Sequence, residues 1–267
     1  MDTTRYSMKI GTADAQRLKL LGRFYDPSTS AFLEAAGVTQ GDSAVDIGCG
    51  HGGITDRIAA RVGDSGRVYA VDSSPEQLRE ARKALASRPN VRFVERAIDH
   101  DPLDGKRVDW VYSRFLLMHV PDVRRALNSM GAMIADGGAL LLEVADVGSL
   151  RFLPDDSDSN LWREWWFALG RARGLSYDVA DTIEEFLAEV GFEIHRKDRY
   201  QPIVSSADAK MLHSLGYEQC VSAYRSEIGV SAEQIECHRR YLDRVIHDPA
   251  VMIALFENVQ YIARRTC

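Results

Sequence analysis

The sequence predicts an α/β fold, a seven-stranded, mostly parallel sheet with helices on both faces and a helical lid. Two observations carry this reading. Between residues 43 and 144, short apolar runs rich in Val, Ile and Leu alternate with helix-like stretches, the pattern of repeated βαβ units. Beyond residue 150, two helical blocks are each followed by one more strand pattern, which adds two strands to the same sheet. With 267 residues, 45% of them hydrophobic, the chain can bury a sizeable core in one elaborated domain.

Residues 1–40 read as helices that contribute to the cover of a site. Residues 41–150 form the core unit, with strands expected at 43–48 (SAVDIG), 67–72 (RVYAVD), 91–95 (VRFVE), 108–113 (VDWVYS) and 139–144 (ALLLEV). Helices are expected at about 53–62, 75–86 and 121–134. Pro75 behind Ser74 suits an early helical position after a serine cap, and "ADGG" at 135–138 suits a turn feeding the fifth strand. Residues 151–267 hold an acidic loop at 154–160 (PDDSDSN), a strand at 192–200, a helical block over about 206–256 and a last strand at 258–265. The helical excursions are expected above the carboxyl ends of the strands, where open α/β sheets bind ligands.

A formal net charge of −6 argues against a broad nucleic-acid or anionic-membrane surface, because phosphate binding draws on clustered Lys and Arg. Cys49, Cys220, Cys237 and Cys267 are scattered without zinc-like spacing and read as reduced thiols, and no metal site is expected. The N-terminal stretch lacks a signal-peptide core and no apolar run is long enough to span a bilayer, so a cytoplasmic location is expected.

Gly48, Gly50 and Gly53 satisfy G-x-G-x-x-G between a strand and a helix, and Asp72 closes the next strand. Glycines there let a ligand approach the backbone, and an acid at the second strand end accepts hydrogen bonds from ribose hydroxyls. The pattern alone also fits an NAD(P)-linked oxidoreductase. Asp46 separates the two readings, because a buried carboxylate two positions before the first glycine favours a cationic ligand and repels a pyrophosphate.

"VDIGCGHGG", "VYAVDSS", "DWVYSRFLLMHVPD" and "MIADGGALLLEV", in this order, resemble the motifs of class I S-adenosylmethionine-dependent methyltransferases of the bacterial small-molecule type. Residues 14–38 are similar to the opening helices of that group. The resemblance implies a Rossmann-like fold, S-adenosylmethionine as cofactor and S-adenosylhomocysteine as product. It further implies that Asp46, Gly48, Cys49 and Gly50 face the methionine part, that Asp72 holds the ribose, and that Ser73 and Ser74 flank the adenine. Ser113 and Arg114 fall where the fourth strand ends beneath the methionine. Ala97 stands where the family commonly has an acid for the adenine amino group, so that contact passes to the backbone near Ala97 and Ile98, or to Asp99. Asp136 replaces the usual proline of the fifth-strand turn.

The sulfonium is already an activated methyl donor, so the protein's task is to hold the reacting atoms in line and dry. His119 just past the fourth strand, His213 and His238 in the lid, and Tyr200 after the sixth strand are candidate proton acceptors, with packing as the alternative role of each. Trp162, Trp165 and Trp166 on one helix could wall an apolar acceptor or pack the lid, and Asp155, Asp156 and Asp158 read as a solvated loop. The position after strand four reads "SRFL", without the N/D-P-P-Y/F/W tetrapeptide of amino-methylating DNA enzymes. The expected function is methyl transfer to an oxygen, nitrogen or carbon of a small molecule, a secondary metabolite, by a monomer or homodimer. A fold relative that binds the cofactor without transferring methyl is the alternative of another class.

Overall fold

The computed structural model describes residues 15–154 and 161–266. Helix α1 (Ala15–Ala36) leads into β1 (Ser43–Ile47), α2 (Gly53–Val62), β2 (Arg67–Asp72), α3 (Pro75–Ala84), β3 (Val91–Glu95), β4 (Val108–Arg114), α4 (Val123–Ala132) and β5 (Ile134–Asp146). Then come β6 (Arg151–Leu153), α5 (Leu161–Arg173), α6 (Ile183–Glu189), β7 (Phe192–Tyr200), β8 (Ile203–Val204), α7 (Ala207–Glu227), α8 (Ala232–His247), β9 (Met252–Ala254) and β10 (Glu257–Arg265).

Seven strands form one sheet in the order β3-β2-β1-β4-β5-β10-β7. The first five are parallel, and β10 runs antiparallel to both β5 and β7. The chain order reverses between β1 and β4, which opens a crevice at their carboxyl ends. Strand side chains alternate between two cores. Ala44, Val68, Ala70, Tyr112 and Leu141 pack with Phe32 and Leu33 of α1, Ile54 and Ile58 of α2 and Leu78 of α3. Val45, Ile47, Val71, Val111, Leu140 and Leu142 pack on the other face with Leu127 and Met130 of α4 and Ile183 and Leu187 of α6. Period two in the strands thus produces the expected helices on both faces.

Local signals account for the helix starts. Ser74 caps α3 by accepting from the Gln77 amide, with Pro75 as the first helical residue. Asp122 caps α4 through the Arg125 amide. The helix expected over 121–134 is therefore shorter, preceded by a single 3-10 turn at Leu117–His119 and ended where Ile134 joins the sheet opposite Val108. The turn expected at 135–138 lies inside β5, where the register with β4 shifts and Gly137 takes φ +80°.

All seven strands expected from the sequence lie in the seven-stranded sheet, and beside it β6, β9 and β8, which the sequence reading did not name, form a separate three-stranded antiparallel sheet. Strands of two or three residues carry no alternation to read, and β9 falls inside the block expected to be helical. That block divides into α7, which packs with α5 over the crevice, and α8, which packs against α7. Among the described residues no helix is long and apolar enough to cross a membrane.

Candidate functional site

A cavity of about 810 Å³ opens at the carboxyl ends of β1, β2 and β4 and is covered by α1, α5 and α7. That volume falls within the roughly 300–1,000 Å³ usual for small-molecule sites.

The glycine turn forms one wall. Gly48 and Gly50 hold φ +77° and +53°, and the amides of Gly48 and Cys49 both donate to the Val71 carbonyl, at 2.8 and 3.0 Å, which ties the turn to β2. A Cβ on Gly50 would meet nothing within 4 Å, so this glycine answers a backbone demand beside open space. Asp46 is buried under the turn, where its Oδ2 accepts from the Thr55 hydroxyl at 2.6 Å. Burial drives its carboxyl up to about 6, against the Thr55 hydrogen bond and the Arg114 charge. Asp72 accepts from the Gly50 amide at 3.0 Å and the Ser74 amide at 2.9 Å, and burial raises its pKa while these amides oppose the rise. Its carboxylate therefore braces the turn as well as facing the cavity. Ser73, Ser74, Ala97 and Ile98 line the same side, whereas Asp99 is exposed and away from it, its carbonyl taken by Arg125. Burial pushes the Cys49 thiol well up, so it stays protonated and is no nucleophile.

The end of β4 separates two residues that the sequence reading joined. Side chains alternate along a strand, so Tyr112 and Arg114 reach the cavity while Ser113 turns away and donates to the Ile47 carbonyl at 2.9 Å. Ser113 thus fastens β4 to β1 and does not line the cavity. Arg114 pairs with Asp26 of α1 at 2.9 Å and donates to Thr29 at 3.1 Å, and Asp26 also holds Arg57 of α2 at 3.0 Å. Phe115, the next residue, lines the cavity with φ +56°, a strained conformation for an aromatic residue.

Trp162 and Trp166 of α5, Leu212, His213 and Tyr217 of α7, and Phe115, Met118 and His119 after β4 wall the apolar half. Trp165 belongs to a different face and packs among Tyr217, Tyr224 and His238 inside the lid. His119 and His213 do line the cavity, but burial drives each imidazole down to about 3, which keeps both neutral. His238 and Tyr200 lie outside it: His238 stacks on Tyr241, and Tyr200 packs edge-on to Tyr25. Asp155, Asp156, Asp158 and Cys267 lie outside the described residues.

Asp26, Thr55, Tyr112, Phe115 and Phe256 escaped sequence reasoning. Only Asp26 carried a signal, standing before Pro27 within a helix pattern, where helix propensity does not explain it.

The chain is 32% identical over 109 residues to demethylmenaquinone methyltransferase of Staphylococcus aureus, a stretch covering 41% of this chain and 45% of that protein. The chain spans less than half the length of the first curated relatives it matches, 41% and 45%. Among solved structures, a putative methyltransferase from Bacillus halodurans superposes with TM-score 0.60 at 17% identity, covering 89% of this chain and 98% of that one. Geranyl diphosphate C-methyltransferase from Streptomyces coelicolor, solved with S-adenosyl-L-homocysteine, superposes with TM-score 0.55 at 16% identity, covering 90% and 76%. These likenesses establish a Rossmann-like methyltransferase fold. The model of the family described as methyltransferase domain matches residues 18–197, from α1 through most of β7 and so through every strand that bounds the crevice, and the chain belongs to that family.

Proposed function

We propose that the protein transfers a methyl group from S-adenosylmethionine to an oxygen, nitrogen or carbon of a small organic molecule by in-line displacement. The observation that carries this reading is the buried Asp46 carboxylate beneath the glycine turn, on the same cavity wall as Asp72. A carboxyl held at about 6 by burial gains from a nearby cation and would repel a pyrophosphate. Gly48, Cys49, Gly50 and Arg114 then surround the methionine part, Asp72 accepts the ribose hydroxyls, and Ser73, Ala97 and Ile98 border the adenine. Ser113 fastens β4 to β1 beside them.

When bound, the sulfonium supplies an activated methyl group. The chain's own contribution is to bind, orient and exclude water, with residues 1–40 as cover, 41–150 as the cofactor unit and 151–267 as the remaining strands and lid. His119 and His213 face the acceptor space, while Tyr200 and His238 take no part. The net charge of −6 supports a small-molecule acceptor over nucleic acid or a membrane surface. We place the protein in the cytoplasm, in secondary metabolism, as a monomer or homodimer.

Calorimetry with S-adenosylmethionine and with NADH tests the cofactor assignment, and binding of the former alone is expected. Turnover to S-adenosylhomocysteine with an acceptor panel tests transfer. Preference for NADH would return the chain to the oxidoreductases, and binding without any turnover would favour a non-methylating relative.

A further inference from the structure

Resting on that reading, we infer that the acceptor is an amphiphilic anion, whose apolar body lies in the lid half of the cavity beside Gly216 and whose anionic head pairs with Lys19 where α1 meets α7. Position on α1 comes first. Ala15, Lys19, Gly22 and Asp26 recur at helical spacing and all line the cavity, so they form the face that α1 turns toward it. From this face Asp26 reaches Arg114 at the end of β4, and Lys19 stands on it about two turns earlier. Gln16 donates to Met211 Sδ of α7 at 3.6 Å, which places Lys19 near the seam between the two cover helices.

Charge sets the head group. The chain carries a formal −6, yet the cavity lining reverses this balance, with six Lys and Arg side chains against three carboxylates among the described residues. Most of those cations are committed: Arg57 and Arg114 share Asp26, Arg96 pairs with Asp104, and Arg17 is engaged within the protein. Lys19 and Arg23 are not. Both are exposed on the cavity lining, and among the described residues neither has a carboxylate within ion-pair distance. The carboxylates are equally committed, since Asp46 lies beneath the glycine turn bonded to Thr55 and Asp72 holds the Gly50 and Ser74 amides. An anionic head therefore meets unneutralised positive charge on α1, and a cationic head meets like charge.

Apolar walls and one glycine set the body. Leu18 of α1, Phe115 and Phe256, all half-buried, line the cavity with Leu212 of α7 and bring no charge into it. Gly216 lies in the interior of α7, where glycine is the least favourable residue after proline. A Cβ at this position would meet nothing within 4 Å, so close packing does not require the glycine, and the open space beside it belongs to the cavity. A larger side chain at 216 would fill room that the apolar body uses.

The test uses the whole protein saturated with S-adenosylhomocysteine and four probes that share one body: 4-butylbenzoate, 4-butylphenyl phosphate, 4-butylbenzamide and 4-butylbenzylammonium. Calorimetry at low salt is expected to show an anion bound about fivefold tighter than the amide, the upper range for an exposed ion pair, with the ammonium weakest. That advantage should shrink as salt rises. The tighter of the two anions identifies the head as carboxylate or phosphate. Lys19→Gln, at an exposed position, should erase the advantage and leave the affinities for the amide and for S-adenosylhomocysteine unchanged. Gly216→Leu should weaken all four probes and spare S-adenosylhomocysteine. No advantage of either anion over the amide, or preference for the ammonium, overturns the proposal even if Gly216→Leu fails to fold. Full probe affinity in a folded Gly216→Leu protein overturns the placement of the body. Loss of S-adenosylhomocysteine affinity in Lys19→Gln would assign the ammonium to the cofactor's own carboxylate and overturn the head. Absence of S-adenosylhomocysteine binding by the wild type in the first titration overturns the cofactor reading instead.

Discussion

Asp26 of α1 and Arg114 at the end of β4 form an ion pair at 2.9 Å, with side chains 15% and 13% exposed. This pair joins the cover of the cavity to the strand end where the sheet order reverses. Beside it, Tyr25 stacks on Phe256 with centroids 4.9 Å apart and donates its hydroxyl to the Phe256 carbonyl at 2.7 Å. α1 is therefore fixed to both β4 and the approach to β10, and cofactor access and fold stability share the same contacts.

Asp26→Ala should leave Arg114 buried beside no carboxylate of α1, at a cost of about 3 kcal/mol, the lower end for breaking a buried pair. Asp26→Asn keeps an acceptor and should lose less. Urea denaturation measures both, with cofactor affinity falling in parallel. An Asp26→Ala protein as stable as the wild type would show that α1 is held by its aromatic contacts alone.

Glu143 lies 2% exposed in the middle of β5, where it accepts from the Tyr112 hydroxyl at 2.5 Å, the Gln260 amide at 2.9 Å and the Asn258 amide. Replacing it by Leu strands three buried donors, each worth about 1–3 kcal/mol, so a loss of at least 3 kcal/mol is expected. A double-mutant cycle with Tyr112→Phe should show coupling, because the two residues share one hydrogen bond. Strict additivity in that cycle would refute the link.

Glu143 also marks where sequence reasoning ended. The strands, the glycine turn and the cap at Ser74 were legible because period two, positive-φ glycines and a serine before proline are local signals. Asp46 was legible as an acid in an apolar strand. Glu143 occupies the same kind of position, yet its partners lie on β4 and β10, and nothing in "LLLEV" announces them. Trp165 and Trp166 are neighbours in sequence and separate in space, since a helix turns about 100° per residue and only tertiary packing decides which face meets the cavity. Asp26 and Arg114 stand 88 positions apart, so their pairing is a property of the fold.

Asp72→Ala should weaken S-adenosylmethionine binding by about 1.5–3 kcal/mol, roughly tenfold to a hundredfold, through loss of the ribose contacts. The structure adds a second consequence, because the same substitution frees the Gly50 and Ser74 amides and loosens the turn. Loss of thermal stability in the ligand-free variant separates the two contributions. Unchanged affinity by calorimetry would remove Asp72 from the site.

Asp46 should make stability and cofactor affinity respond to pH in opposite directions. Its folded pKa of about 6 lies above the ordinary 3.8, so its contribution to stability is fully present below 3.8 and is lost as pH rises through about 6. The loss amounts to about 3 kcal/mol, two units at 1.36 kcal/mol each. Binding a sulfonium needs the ionised carboxylate, so affinity for S-adenosylmethionine should fall as pH drops below about 6, by up to tenfold per unit, while S-adenosylhomocysteine, which lacks the cation, responds less. Asp46→Asn retains an acceptor for Thr55 and removes the charge. Without ligand at pH 8 it should melt above the wild type, and at pH 4 the difference should shrink, yet it should bind S-adenosylmethionine more weakly at pH 8. A residue kept for its ligand at the expense of its own fold has this pair of signs. A variant that melts lower than the wild type at pH 8 and binds S-adenosylmethionine normally would assign Asp46 to the fold alone.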